Sequence, residues 1–221
     1  MQRVEQVGTV KMFERHLFVS TPTADWPPQI EESDGYLGSL ARLLQSGSRE
    51  AGIVLRLTAF HSPTADGLIE LLSFPDRSVY RVPSSQVEDW ARSYLSREET
   101  ADRFDSEPVR QRWIFVCAHG SRDRRCGLCG PPLLAALTRS TSTIPELRDV
   151  RIHACSHVGG HRFAGNILIY PDGDWYGSVG SRDVETIVRR HLLEGKVVWD
   201  LWRGRAGLTP RAQKELAEAR A

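Results

Sequence analysis

The hydrophobic positions in the second half of the chain follow strand-like and helix-like patterns in turn. Short apolar runs, bounded by polar or turn residues, predict strands at 112–117, 150–154, 166–170 and 175–179. Gly130-Pro131-Pro132 predicts the start of a helix, because proline is tolerated in a first helical turn. An apolar stripe with helical spacing predicts an amphipathic helix over 184–193.

The first half repeats this order of elements. The predicted strands are 16–20, 53–57, 68–74 and 79–82, and the predicted helices are 36–44 and 87–95. The turn sequence Phe74-Pro75-Asp76 matches Tyr170-Pro171-Asp172 at an offset of 96 residues, and Tyr80 matches Tyr176 at the same offset. Element order and turn position together indicate an internal duplication.

A parallel crossover followed by a hairpin and a final helix is the thioredoxin-like arrangement. The sequence therefore predicts an α/β fold of two thioredoxin-like halves in tandem, with any cofactor in the C-terminal half. The predicted domains are a first half at 1–103, a second half at 104–195 and a tail at 196–221. Within the tail, Thr209-Pro210 predicts the start of a short helix.

The composition excludes several functional classes. Hydrophobic residues make up 40% of the chain, yet no apolar run is long enough to span a membrane. The formal net charge is only +1, too mild for the dense basic stripe typical of nucleic-acid binding. The N-terminus lacks the pattern of a secretory signal, so we expect a cytoplasmic protein.

All four cysteines lie in the second half, at positions 117, 126, 129 and 155. In a cytoplasmic protein, clustered cysteines with histidines nearby favour metal or redox chemistry over structural disulfides. Two stretches, one from Cys117 to Gly130 and one from Cys155 to His161, each follow a predicted strand. Parallel strands bring such stretches together at one sheet edge, where we expect a site of two thiolates and two imidazoles.

Several sites can be built from these residues. Zinc would be held by Cys126, Cys129, His157 and His161, although this leaves Cys117 unexplained and separates the pairs more widely than a zinc finger does. Alternatively, Cys126 and Cys129 form a thiol–disulfide redox pair at a helix start. The thioredoxin-type position, directly after the first strand, is however occupied by Cys117.

The motifs resemble a known family. Cys117-x8-Cys126, followed by His157-x3-His161 and the string Phe163-Ala164-Gly165-Asn166, is similar to the sucrase/ferredoxin-like branch of thioredoxin-like ferredoxins. The resemblance implies a [2Fe–2S] cluster held by Cys117, Cys126, His157 and His161. Ninety-seven residues earlier the corresponding positions are Ser20, Gln29, Phe60 and Thr64, so we expect no cluster in the first half.

This resemblance implies an electron carrier with a redox partner protein rather than an enzyme, and no catalytic residues stand out. An oxidised [2Fe–2S] core with two thiolates and two neutral imidazoles is electrically neutral, whereas four thiolates leave two negative charges. The midpoint potential of the cluster with two histidine ligands should therefore lie above the roughly −400 mV of plant-type ferredoxins. Each imidazole also has a second nitrogen, so we expect electron uptake to be coupled to proton uptake.

Overall fold

The computed structural model describes residues 6–63, 67–96 and 103–220. The chain divides into two compact units. The first lies within 13–110, and the second combines the residues up to Met12 with those from Gln111 onward. The sequence-based division at residue 103 does not include this return of the N-terminal segment, which is tied to the second unit by backbone hydrogen bonds from Gly8 and Thr9 to the carbonyl of Arg203.

The first unit is an α/β unit around a mixed sheet. Its elements are β1 (Arg15–Thr21), α1 (Gly35–Glu50), β2 (Leu55–His61), β3 (Leu68–Phe74), β4 (Ser78–Pro83), α2 (Val87–Ser96) and β5 (Ser106–Pro108). The strand order is β2-β1-β3-β4-β5. Strands β1 and β2 are parallel, whereas the other neighbours are antiparallel. Helix α1 buries Leu37, Leu40 and Leu44, the spacing of a single helix face.

The second unit has the same arrangement. Its elements are β6 (Trp113–Cys117), α3 (Arg124–Ser142), β7 (Arg151–Cys155), β8 (Ile167–Tyr170), β9 (Asp174–Tyr176), α4 (Val184–Ile187), β10 (Trp202–Arg205) and α5 (Pro210–Glu218). Helix α4 continues directly into a π-helical segment, Val188–Leu193. The strand order is β10-β9-β8-β6-β7, with only β6 and β7 parallel.

The core of the second unit explains its continuous apolar strands. All five residues of β6 are buried, and Ile114 and Val116 join a cluster with Leu133 and Leu137 of α3. A strand that is covered on both faces buries every side chain, so its residues are apolar throughout and do not alternate with polar ones. The predicted α/β class is confirmed, and within the described residues no helix combines the length and apolar character needed to cross a bilayer.

The C-terminal segment is an integral part of the second unit. Trp202 is fully buried in β10, and its indole nitrogen donates to Asp174 at 2.8 Å. The predicted helix start is confirmed, since the Thr209 hydroxyl accepts a hydrogen bond from the backbone nitrogen of Ala212. Buried Gln213 of α5 then donates to the carbonyl of Val10 at 3.1 Å, which joins the two ends of the unit.

Candidate metal centre

The C-terminal ends of β6 and β7 place the two candidate stretches side by side. These strands are parallel, and Cys117 pairs in register with Cys155. Beyond the strand ends, the backbone nitrogen of His157 donates to Nδ1 of buried His119 at 2.9 Å. The prediction that the two stretches meet at one sheet edge is therefore confirmed.

The helix that carries Cys126 begins earlier than predicted. The sequence predicts a start at Gly130, but α3 begins at Arg124, because Asp123 caps it by accepting from the backbone nitrogen of Arg125 at 2.9 Å. Pro131 lies inside the helix rather than in its first turn. Cys126 is thus fixed in the first helical turn, and not on a loop.

Gly130 allows this helix to pack closely against the end of β6. A Cβ atom at residue 130 would lie 2.6 Å from the carbonyl oxygen of Cys117 and 2.7 Å from the Cα of Ala118. Both are backbone atoms with little room to move. The absence of a side chain at Gly130 therefore sets how near Cys126 comes to Cys117.

We expect Gly130→Ala to destabilise the protein by about 1–3 kcal/mol through overpacking, although alanine is the better helix former. The measurement is the free energy of unfolding in urea. Gly180→Ala is the matched control, since the nearest atom to its added Cβ is 3.6 Å away. Equal unfolding free energies for the two variants would contradict this close packing.

Three of the four predicted ligands converge. One ligand atom each from Cys117, Cys126 and His157 lie within 4.8 Å of one another. The Cys126 sulfur is 3.7 Å from Nδ1 of His157. Both cysteines are only 1% exposed, and the histidine is half-buried. This group can hold a metal with two thiolates and an imidazole.

The two sulfurs share a proton unequally. A hydrogen bond from Cys126, assisted by nearby His157, holds the pKa of Cys117 well below its usual range. The same hydrogen bond and burial raise the pKa of Cys126. Cys117 is therefore the readier of the two to act as a thiolate ligand, and a metal at this site would displace the proton of Cys126.

His161 lies next to this group at the solvent edge. Its ring stacks on that of His157, with centroids 5.9 Å apart and planes inclined by 28°. Its Nδ1 is 3.6 Å from Oδ2 of Asp123, and its side chain is 52% exposed. The Arg125 guanidinium lowers the pKa of Asp123 to about 2, so this carboxylate is charged and can orient the His161 ring.

The other two cysteines lie outside the converging group. Cys155 is fully buried at the end of β7, and Cys129 is partly buried one helical turn after Cys126. Among the described residues, the zinc set predicted from Cys126, Cys129, His157 and His161 is not gathered as such, because the second thiol in the group is Cys117.

Sequence reasoning gave no role to His119. This buried side chain accepts a hydrogen bond from the backbone nitrogen of His157 and thereby helps to hold His157 in place. In the sequence, His119 is only a histidine two residues after a predicted strand. Its hydrogen-bond partner lies 38 residues away along the chain, so the spacing between neighbouring motif residues does not reveal this contact.

The donor set itself narrows the choice of metal. Thiolates and imidazoles are soft to borderline ligands, which suit zinc or iron–sulfur clusters and are a poor match for magnesium or calcium. The buried sulfurs and the exposed outer histidine also leave one side of the site open to water. These residues fit a [2Fe–2S] cluster, whose ligands are shared between two irons.

Comparison with known proteins gives a family match over most of the chain. The family described as sucrase/ferredoxin-like matches residues 6–204. Curated relatives carry the name Altered inheritance of mitochondria protein 32. The protein from Candida glabrata is 29% identical over 224 residues, covering 81% of this chain and 70% of the relative. That from Meyerozyma guilliermondii is 28% identical, covering 59% of this chain and 55% of the relative.

A third relative, from Clavispora lusitaniae, is 34% identical and covers 49% of this chain and 40% of its own length. The chain thus spans about half the length of the relatives from Meyerozyma guilliermondii and Clavispora lusitaniae. Among solved structures, a thioredoxin-like [2Fe–2S] ferredoxin from Aquifex aeolicus is similar, with 25% identity and a TM-score of 0.39. The alignment covers 45% of this chain and 94% of the ferredoxin.

Proposed function

Because the chain belongs to the sucrase/ferredoxin-like family, we propose that it is an electron-transfer protein with one [2Fe–2S] cluster in its second unit. The proposed ligands are Cys117, Cys126, His157 and His161. The observation that carries this proposal is the convergence of two buried thiols and an imidazole within 4.8 Å at the sheet edge. When bound, the cluster supplies reversible one-electron transfer.

The burial of the ligands suggests how they are shared between the irons. Cys117 and Cys126 lie inside the fold and would bind the inner iron. His157 and His161 come from one short loop, with stacked rings and an exposed outer edge, and would bind the outer iron. The histidine pair would then hold the iron through which electrons leave toward a partner.

The exposed edge of this site also supports the proton coupling. With one nitrogen of His161 on iron, its other nitrogen would lie at the exposed edge of the site, where it can exchange a proton with water. The predicted coupling of electron and proton uptake is therefore part of the proposed function.

The surface around the candidate site favours an acidic redox partner. Exposed arginines flank the ligands on both stretches: Arg122, Arg124, Arg125 and Arg162. Leu128, in the first turns of α3, is 62% exposed and offers an apolar contact. Electrostatic complementarity of this kind raises association rates more than it raises affinity. The partner's identity and the cytoplasmic location stay predictions.

This charge should control the rate at which the reduced protein meets an anion. Oxidation by hexacyanoferrate(III) is expected to slow with rising ionic strength, and to slow about tenfold in Arg124→Glu/Arg162→Glu at low salt. Stopped-flow absorbance measures the rate of this oxidation. Arg139→Glu is the control, since this exposed residue lies about 20 Å further along α3. Equal rates in both variants would exclude a steering role for these arginines.

Besides a common strand order, the two units share a set of side-chain contacts that supports the proposed duplication. In the first unit, Asp76 lies 4.0 Å from Arg15 and 3.5 Å from the Tyr94 hydroxyl. In the second, Asp172 lies 3.6 Å from Arg112 and 3.2 Å from the His191 ring. These residues correspond at offsets of 96 or 97, so the same three-residue network follows the same hairpin turn in each unit.

Within the described parts of the first unit, no group of three potential ligands is found at the corresponding position or elsewhere. We infer that the first unit is a cluster-free copy, because the positions corresponding to the proposed ligands hold Ser20, Gln29, Phe60 and Thr64. In this proposal it serves as a scaffold or a docking surface.

Metal analysis of protein purified without oxygen tests the proposed function. We expect a brown protein with two iron atoms and two sulfides per chain and visible absorption that bleaches on reduction. A colourless protein with one zinc ion per chain would instead identify a zinc-stabilised binding module, and it would refute the electron-transfer proposal.

A further inference from the structure

Arg203 of β10 lies directly behind the segment 157–161, which we call the ligand loop. Its side chain is buried, with only 2% of the residue exposed. One guanidinium nitrogen, Nη1, donates to the carbonyl oxygen of Gly159 at 3.3 Å and to Oδ1 of Asn166 at 2.7 Å. A charged group is thus held in the interior and is bonded to the carbonyl at the middle of the ligand loop.

The other guanidinium nitrogens hold the N-terminal segment. Nε donates to the Thr9 hydroxyl at 3.1 Å, and Nη2 donates to the Thr9 carbonyl at 3.2 Å. The guanidinium carbon lies over the ring of Phe163 at 5.1 Å and over that of Trp175 at 5.9 Å. Hydrogen bonds from three of its nitrogens and the two nearby aromatic rings restrict the orientation of this side chain.

The ligand loop is shaped around this guanidinium. A Cβ atom at Gly160 would lie 2.2 Å from Nη2 of Arg203, and one at Gly177 would lie 2.5 Å from its Cδ. Both Gly159 and Gly160 have positive φ angles, of 78° and 69°, which other residues adopt at a cost. Asn166, itself bound by Arg203, donates to the Gly160 carbonyl at 3.3 Å. The carbonyls of both glycines between the histidines are therefore held by one network.

We propose that Arg203 is a positioning residue for the two histidine ligands, and that it also places a fixed positive charge behind the cluster. This inference rests on the proposed function. Since the guanidinium fixes Gly159 directly and Gly160 through Asn166, it sets where His157 and His161 can point before any metal binds. A nearby positive charge favours the reduced, more negative cluster and so raises its potential.

The test compares Arg203→Lys, which keeps the charge but loses the planar fork, with Arg203→Met, which loses both. We expect iron release to bipyridyl to be about 10–100-fold faster in both variants, the usual effect of removing a group that orients a ligand. Only Arg203→Met should also show a lowered midpoint potential. Thermal unfolding of the apoprotein shows whether each variant remains folded.

Arg205→Lys is the matched control on the same strand, because Arg205 pairs with Asp174 at 2.9 Å and is bound to no residue of the ligand loop. We expect Arg205→Lys to release iron to bipyridyl at the wild-type rate. Thr9→Val, which removes one acceptor of the guanidinium, should accelerate release more weakly and covers the case in which the Arg203 variants do not fold.

Two failures are distinguishable in this experiment. Wild-type protein without iron and sulfide would refute the proposed function itself. Wild-type protein with its cluster, together with unchanged iron release in the folded Arg203 variants, or in Thr9→Val where those do not fold, would overturn the positioning role alone. An unchanged midpoint potential in folded Arg203→Met would overturn the role of its charge.

Discussion

Cys117→Ala and Cys126→Ala are each expected to yield protein with less than about a tenth of the wild-type iron and sulfide. Both sulfurs are buried in the converging group, so in the proposed cluster a substitution would leave the inner iron with an open position that no other described thiol in the group fills. The lost thiolate also removes a negative charge that neutralises the cluster core. Iron and sulfide analysis, together with the visible spectrum, measures the loss.

The matched controls are the two cysteines outside the group. Cys129→Ser and Cys155→Ser should keep the visible spectrum nearly unchanged, because neither sulfur belongs to the converging set. A colourless Cys129→Ser protein beside a normally coloured Cys117→Ala protein would contradict the ligand assignment and favour Cys126 with Cys129.

His157→Cys and His161→Cys are expected to lower the midpoint potential by roughly 100 mV or more each. A thiolate adds one negative charge to the cluster, and exchanging two histidines for two cysteines separates Rieske-type potentials from those of plant-type ferredoxins. Redox titration with EPR detection measures the shift. A serine variant of Cys129 serves as the control for a change near, but not at, the cluster.

The same titrations, repeated from about pH 6 to 10, test the proton coupling. Reduction places negative charge beside each imidazole, which then holds its second proton more tightly. The potential of the wild type should therefore fall as the pH rises, approaching about 59 mV per pH unit for one proton per electron. Each cysteine variant should show a weaker slope. A flat wild-type potential would contradict ligation by histidines that face water.

The position of the site could be predicted from the sequence because it depends on local patterns. A buried strand ending at Cys117 and another ending at Cys155 must share an edge if they are parallel, and they do. Three of the four ligand positions named from the motifs are brought together in the fold. The family could also be named from the motif pair, and the match of the sucrase/ferredoxin-like family to residues 6–204 confirms it.

What the sequence did not reveal depends on contacts between distant residues. The two prolines after Gly130 predict a helix start there, whereas the helix begins at Arg124, six residues earlier, with Asp123 as its cap. Arg203 belongs to the segment predicted as a C-terminal tail, yet it lies buried against Gly159, 44 residues away along the chain. Neither propensity nor spacing carries information about such packing.

Pulsed EPR of the dithionite-reduced protein tests the central claim most directly, because it detects the nitrogen nuclei bonded to the cluster. The account predicts a [2Fe–2S] signal with couplings from two histidine nitrogens, of which one disappears in His157→Cys and the other in His161→Cys. A reduced cluster without strong nitrogen coupling, or couplings that survive both substitutions unchanged, would show that His157 and His161 are not ligands and would contradict the proposed ligand set.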